Sequence, residues 1–533
     1  MKVHRRIRFG TKVLVGIMTV AVVTTACGGG SGSSSSTPAS GEGVAASDVD
    51  RNATLRYAWT VAPNNLDPHQ SANYQIDFNY LAPVYDRLTQ AVAGPEIAPM
   101  LAESWEFAPD GMSANFTLRT DATFHDGTKV DAAAVVKSLQ RAVDPTRARA
   151  AGALALISGI EEVDPTTVKI STNRPAADLP SVLSSTVAAI ISPAAIDGNV
   201  DLSVETAGSG PYVVDEVRRG DRIIYSRYDG YWDPEAQKAA KLEIIGITDD
   251  NARLNAFRSG QIDAMLAKAG QTDDLQTLLR QPQYQLHTFP VAQYYAVQLD
   301  IGQPGLEDPR VRQALNYAID RDGINGALLK DQCAPVSQPI APEIEGSDPE
   351  SVGRYTYDPD KARQLLAEAN APADLRLRVI TVAGLSPQQE MATAIQAQLA
   401  EVGVGLDIVP LPTADAQVRM GEGSYALLNP RLTFPTPAQS LQNNYLVPLR
   451  FPTAPSPEFT DAVNTSLDPN TSDDERISLY TQASRVASED AYDIFVCGIP
   501  TQAAYSDKVY GIDQAGQADF TGIVDTRYLG KTA

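Results

Sequence analysis

The stretch Leu375–Val409, LRLRVITVAGLSPQQEMATAIQAQLAEVGVGLDIV, decides the fold class. Leu375, Leu377 and Val379 alternate with Arg376 and Arg378, the two-residue period of a strand. Ser386-Pro387 then starts a helix, and Gln389 completes a capping box. Leu406 to Val409 reads as a second strand. Parallel neighbours need a long connection and strand twist favours one hand, so this spacing implies a right-handed parallel crossover. The helix-start device recurs upstream. Asp308-Pro309 places a capping carboxylate before Pro at the first helical position. Val311, Leu315 and Ile319 follow as one apolar stripe, and Gly323 is the expected stop. Asp358-Pro359 repeats the pattern, with Ala362, Leu365, Leu366 and Ala369 as the buried face. A helix over Asp131–Val143 follows a strand at Phe116–Arg119. The class is α/β or α+β with mixed sheets.

Composition narrows what such a fold can do. The chain has 533 residues, with 65 acidic against 43 basic and a net charge of -22. That surface repels phosphates and anionic lipid, which excludes nucleic acid as a partner. Apolar residues make up 43%, enough for a large core in about two to four domains. Three cysteines exclude a disulfide-rich scaffold, and four histidines leave little room for a His-based metal cluster.

The first residues read as a secretion signal. Lys2, Arg5, Arg6, Arg8 and Lys12 form a basic region, and Val13–Val23 is an apolar run too short to span a bilayer as a helix. Thr24-Thr25-Ala26-Cys27-Gly28 then places small residues around a cysteine. This resembles a bacterial lipobox, departing from it in Thr24 where Leu is usual, and implies Cys27 as the acylated new N-terminus. Gly28 to about Ser47 is rich in Gly, Ser, Thr and Ala, a flexible coil of roughly 25 Å root-mean-square span. The expected organisation is signal peptide 1–26, tether 27–51, then a folded body. Removal of the signal leaves 38 basic residues against 65 acidic ones, a net -27.

Motifs along the body resemble the family 5 solute-binding proteins of ABC importers. They are Asn65-Leu66-Asp67-Pro68-His69, Val84-Tyr85-Asp86-Arg87-Leu88, Leu101-Ala102-Glu103-Ser104-Trp105, Phe124-His125-Asp126-Gly127-Thr128, Gly208-Ser209-Gly210-Pro211-Tyr212, Ser259-Gly260-Gln261-Ile262-Asp263, Asp308–Arg321 and Asp358–Asn370. Each alone is weak; in this order they run from about 52 to 510. Physically they read as scaffold. Gly111 and Gly127 suit turns, Trp105 and Phe116 suit a core, Asp126 caps a turn, and Arg312 and Arg321 pair with Asp308 and Asp320 on a helix surface.

The resemblance implies a two-lobed periplasmic-binding-protein fold of type II with an extra subdomain in lobe 1 and a hinge between lobes. Lobe 1 would take 52–290 and 486–533, with 91–204 as the inserted subdomain, and lobe 2 would take 291–485. Leu286–Leu299 and Ala491–Pro500 would be the crossing segments. It further implies a non-catalytic, monomeric receptor, lipid-anchored on the outer face of the cytoplasmic membrane, that hands a small-molecule or peptide ligand to permease subunits and needs no cofactor. Candidate ligand residues are Asn73 and Tyr74 after the first motif, and Tyr294 and Tyr295 near the first crossing, of which one should face the cleft. Arg431, Phe434, Asn443 and Asn444 come from Asn429–Tyr445, the most individual stretch. Related peptide binders place an Asp near that stretch to meet the peptide's ammonium group. Here no acid occurs between Gly423 and Glu458. A buried ammonium with no carboxylate is costly, so capped or anionic ends are expected on a peptide-like or amide-rich solute. Arg431 could hold an anionic group with its fork, or be an ordinary surface arginine. Cys333 and Cys497 can bridge in an oxidising compartment, or Cys497 can be a buried thiol.

Two rival readings have weaker support. A secreted hydrolase would need a nucleophile or metal constellation, and neither G-x-S-x-G nor H-E-x-x-H occurs. A sensor or scaffold lipoprotein of the same fold would look identical in sequence. No metal site is expected, because His69, His125 and His287 are scattered and the first two sit in scaffold motifs.

Overall fold

The computed structural model describes residues 46–533 apart from 62, 64, 72–73, 93–95, 150, 269–270, 290–292, 384–386, 424, 432, 514 and 516–523, and apart from the side chains of 74–76, 413–414, 417, 421 and 499. The expected signal peptide, Cys27, the tether to residue 45, Asn73 and the Ser386 cap lie outside the described residues. The crossover forms: strand Arg376–Val382 runs parallel to Gly405–Leu411, with Leu377 opposite Leu406, and helix Gln388–Glu401 connects them. Gln388, the helix's first residue, is fully buried and clamps three elements. Its Oε1 accepts from Val382 N at 2.9 Å and its Nε2 donates to Asn429 Oδ1 at 2.7 Å.

Of the five sheets among the described residues, the three larger ones carry the body. The six-stranded one runs Ala334–Pro335, Asp493–Ile499, Gln293–Gln298, Ala426–Pro430, Arg376–Val382, Gly405–Leu411. Leu377, Val379, Val297, Leu428 and Val496 form its core with Val311, Leu315, Ile395 and Leu399 from the helices. The seven-stranded sheet runs Tyr284–Thr288, Gln502–Ser506, Ala264–Ala267, Thr54–Trp59, Lys241–Gly246, Arg222–Arg227, Tyr212–Arg218. A four-stranded antiparallel sheet (Ala102–Phe107, Ser113–Leu118, Thr167–Thr172, Ile157–Asp164) occupies the stretch expected as an insertion. Helix Ala132–Val143 lays Val135, Leu139 and Ala142 on it, capped by Asp131.

The chain leaves the seven-stranded sheet at Thr288 and enters the six-stranded one at Gln293; it returns between Ile499 and Gln502. The return comes later than residue 486, since Asp493–Ile499 pairs on both sides within the six-stranded sheet. Cys333 and Cys497 are joined by a disulfide, with Cα atoms 5.6 Å apart, beside the edge strand Ala334–Pro335.

Several local expectations need correction. Gly323 does not stop the Asp308-capped helix, which ends at Tyr317. Asp320 caps a second helix, Arg321–Leu328, by accepting from Gly323 N at 2.8 Å. Arg312 and Arg321 do not pair on a surface. Both are buried, Arg312 bonding the carbonyls of Leu306, Glu307 and Asp490, and Arg321 those of Phe495, Asn316, Ile319 and Tyr355. A guanidinium has five donors, so it satisfies carbonyls at helix ends that would otherwise be stranded. Trp105 is half-buried against Phe116 rather than central. Gly111 and Gly127 do have positive φ, 68° and 84°, and Asp126 accepts from Thr128 N at 2.8 Å.

Motifs distant in sequence meet. Gly210 N donates to Val84 O at 2.8 Å and Tyr212 N to Pro83 O at 3.0 Å. A Cβ on Gly208 would collide with the Val84 carbonyl, and one on Gly210 would lie 2.6 Å from that carbonyl carbon. His125 N donates to Gly208 O at 2.9 Å, and its ring Nε2 sits 2.9 Å from Gly210 O. Asp86 accepts from Tyr231 Oη at 2.9 Å, Trp232 Nε1 at 3.2 Å and Ser209 Oγ at 3.2 Å.

Candidate functional site

A cavity of about 680 Å³ opens between the four-stranded-sheet region and the helix Pro437–Tyr445 with the turn after it. Arg149, Leu156, Asn173, Arg174, Asp178 and Val182 line one wall; Phe434, Gln439, Gln442, Asn443, Val447 and Arg450 line the other. Thr436 caps the second wall's helix by accepting from Gln439 N at 3.3 Å, with Pro at the first turn. That places Gln439, Gln442 and Asn443 at i, i+3 and i+4 of one short helix, so amide groups crowd one face. Its buried Ala438, Leu441 and Tyr445 pack on Phe451, Phe459 and Tyr492 and hold it rigid.

The two walls touch. Arg174 donates through Nη2 to Gln442 Oε1 at 2.9 Å, Ser181 Oγ donates to Gln439 Oε1, and Ala177 N donates to Leu467 O at 2.7 Å. Arg174 also forks Asp178, at 3.0 and 2.8 Å. Asp178 is 3% exposed and both its oxygens accept from Arg174, so its charge is already paired. Arg450 bonds Asn443 through its carbonyl and side-chain oxygens, both at 3.3 Å. Arg149 is exposed at the rim, with no hydrogen bond or ion pair to another described residue.

Of the residues expected from sequence, Phe434 and Asn443 line this cavity. Arg431 and Tyr294 belong instead to a sealed cluster. Arg431 Nε donates to Asp493 Oδ2 at 2.9 Å and its Nη2 to Asp493 Oδ1; Nη1 reaches Gln298 Oε1 and the Asn444 carbonyl, each at 3.2 Å. Tyr445 Oη donates to Asp493 Oδ2 at 2.7 Å and lies 2.8 Å from Tyr294 Oη. Burial alone would lower the Arg431 pKa, but the Asp493 carboxylate holds it above the usual range. Its fork is spent on protein, so it has none left for a ligand. Tyr295 packs half-buried on the six-stranded core, and Asn444 is buried. Tyr74 begins helix Tyr74–Leu81.

Arg149, Arg174, Asp178, Gln439, Gln442 and Arg450 were not singled out from sequence. Gln439 and Gln442 lay within the individual stretch and Arg450 just beyond it. Arg149 and Arg174 had no motif to mark them. A second cavity of about 510 Å³ lies across the Ser181–Gln439 seam, lined by Trp105, Phe107, Pro180, Thr436, Pro469 and Arg476. Among the described residues no group of three or more His, Cys, Asp or Glu could hold a metal ion.

Residues 96–447 match the family described as "Bacterial extracellular solute-binding proteins, family 5 Middle". The chain belongs to that family. Among curated members it is similar to the glutathione-binding protein GsiB of Escherichia coli O1:K1 / APEC, 29% identical over 351 residues, 63% of this chain and 67% of that protein. Among solved structures it is similar to the binding protein AgaA of A. tumefaciens R10 in complex with agropinic acid. That match has a TM-score of 0.77 and 24% identity, covering 90% of this chain and 99% of the other. It is also similar to DppA from Helicobacter pylori in complex with the peptide STSA, with a TM-score of 0.74 and 22% identity over 89% and 98%. At these identities the structures establish the fold, a periplasmic-binding-protein architecture with mixed sheets. This family 5 protein is thus an extracellular or periplasmic solute-binding receptor of an ABC importer, not an enzyme. It binds a small-molecule or peptide ligand and works with ABC permeases, as its relatives do.

Proposed function

We propose that this receptor is a lipid-anchored monomer that captures a peptide-like or other amide-rich solute with capped or anionic ends. The 680 Å³ cavity is its ligand site. The observation that carries the reading is the chemistry of the lining. Gln439, Gln442 and Asn443 place amide groups on the lining, and among the described lining residues the one acid, Asp178, is paired with Arg174. Among the described lining residues a free ammonium end would find only a carboxylate that Arg174 already holds. One sequence relative is named for glutathione, one solved neighbour holds agropinic acid and another holds the peptide STSA, all amide-bearing or acidic solutes. In this reading the body divides into two lobes, built on the seven- and six-stranded sheets, and the hinge lies where the chain passes between those sheets, after Thr288 and after Ile499. Closure then follows from a ligand's better contacts with the closed form. Cys27 is the acylation site and the residues up to about 51 are the tether.

Native mass spectrometry of protein purified without refolding tests the ligand class. A retained acidic or amide-rich solute supports the reading. A retained cationic or free-amine peptide seated on another carboxylate overturns it. For the anchor, Cys27→Ala should move the protein from the membrane fraction to the soluble one, and unchanged membrane retention would refute lipidation there.

A further inference from the structure

We propose that the bonds joining the two walls also set the polarity of the cavity, and that Gln442 selects solutes presenting hydrogen-bond acceptors to the helix Pro437–Tyr445. This rests on reading the cavity as the solute site and deepens it. Each side-chain oxygen that this helix offers the cavity already takes a bond from a protein donor. Gln442 Oε1 accepts from Arg174 Nη2 at 2.9 Å, Gln439 Oε1 from Ser181 Oγ, and Asn443 Oδ1 from Arg450 Nη1 at 3.3 Å. Asn443 is engaged at both ends, because its Nδ2 donates to Gln439 O at 2.9 Å. What remains for a solute is N–H. Among the described residues neither Gln439 Nε2 nor Gln442 Nε2 donates to a partner.

At Gln442 the orientation is fixed by chemistry. A guanidinium has donors and no acceptor, so the amide turns its oxygen to Arg174 and its NH2 to the other limb of its plane. That bond crosses from one wall to the other, so it lasts only while the walls are together. Parted walls leave the Gln442 amide free to turn either way and to meet donors and acceptors alike. Closure therefore converts a two-sided amide into a donor. The helix beneath is held by its buried Ala438, Leu441 and Tyr445, so the donor has a fixed place. A solute carbonyl or carboxylate satisfies it in the closed form only, which is the differential affinity a population shift requires. A solute ammonium or amide N–H at the same place meets N–H, and both groups stay unpaired.

Calorimetry with two probes of equal length tests this. N-acetyl-alanyl-alanine has a capped amine and a carboxylate; alanyl-alanine amide has a free ammonium and no carboxylate. Wild type should bind the first about tenfold or more tighter. Gln442→Glu keeps an oxygen for Arg174 and removes the NH2, and Gln442→Met removes the NH2 without adding charge. In both variants the preference should fall about tenfold. Were Gln442 only a strut between the walls, Glu would serve Arg174 at least as well and Met would weaken both probes alike, so the preference would stay. An unchanged preference in both variants, or a loss in Gln442→Glu alone, which would trace to its charge, overturns the assignment. Equal binding of the two probes by wild type, or binding of neither, overturns it as well. Hydrogen exchange separates this from failure of the cavity reading. Bound N-acetyl-alanyl-alanine should protect residues 437–445, and protection confined to other segments would overturn the cavity itself as the site.

Discussion

Asp493 does at residue scale what no spacing in the chain announces. It sits at the start of strand Asp493–Ile499, fully buried, and gathers Arg431, Tyr294 and Tyr445. Removing one partner strands the other's charge in the interior. Asp493→Asn or Arg431→Met should therefore cost about 3–5 kcal/mol in urea unfolding, and the double replacement distinctly less than the sum. Arg431 illustrates why side-chain roles were hard to read. An arginine in a polar, Pro-rich stretch looks like a ligand anchor, and its acid lies 62 residues away. His69 gives a second test. Its ring is buried between Ala189 O and Arg141, and burial, then the Arg141 charge, lowers its pKa to about 4. The unfolded ring titrates near 6.5, so the folded state refuses a proton that the unfolded state accepts. Stability from this group is full above pH 6.5 and falls towards pH 4, by about 3 kcal/mol in all. His69→Gln should flatten that part of a stability–pH curve, and an unchanged slope would refute the assignment.

At the scale of elements, local signals served well. Asp-Pro pairs capped helices at Asp308 and Asp358, and the Leu375–Val409 alternation became a parallel pair. Those features depend on residues within a few positions of each other. The Gly323 stop failed because Asp320 offered a stronger competing cap. What sequence order could not disclose is that the Val84–Leu88 and Gly208–Tyr212 motifs are one joint. There the glycines are required by contact rather than by conformation, since the Val84 carbonyl lies where a Cβ would be. Gly210→Ala should shift the turn at Val84 and lower stability by about 1–3 kcal/mol, an overpacking cost. An unchanged melting temperature would show that the joint yields freely.

The architecture of the whole molecule was legible through ordered motifs. The site was less so, because its walls come from stretches about 270 residues apart, joined by contacts such as Arg174–Gln442. Only Phe434 and Asn443 could be picked from their own neighbourhood. The Cys333–Cys497 bridge closes a loop of 164 residues, which removes much freedom from the unfolded chain. Replacing both cysteines by alanine should lower unfolding free energy by about 2–4 kcal/mol, and reducing agent should then have no further effect. Loss of stability on reduction in that double variant would point elsewhere.

Strand Gln502–Ser506 lies between Tyr284–Thr288 and Ala264–Ala267, antiparallel to both. In chain order it is the last strand of its sheet. Until it arrives, one neighbour has a bare backbone edge and the other has nothing in that sheet to join. A nascent or truncated chain ending before residue 500 would thus carry an adhesive rim, a natural target for chaperones and a seed for clumping.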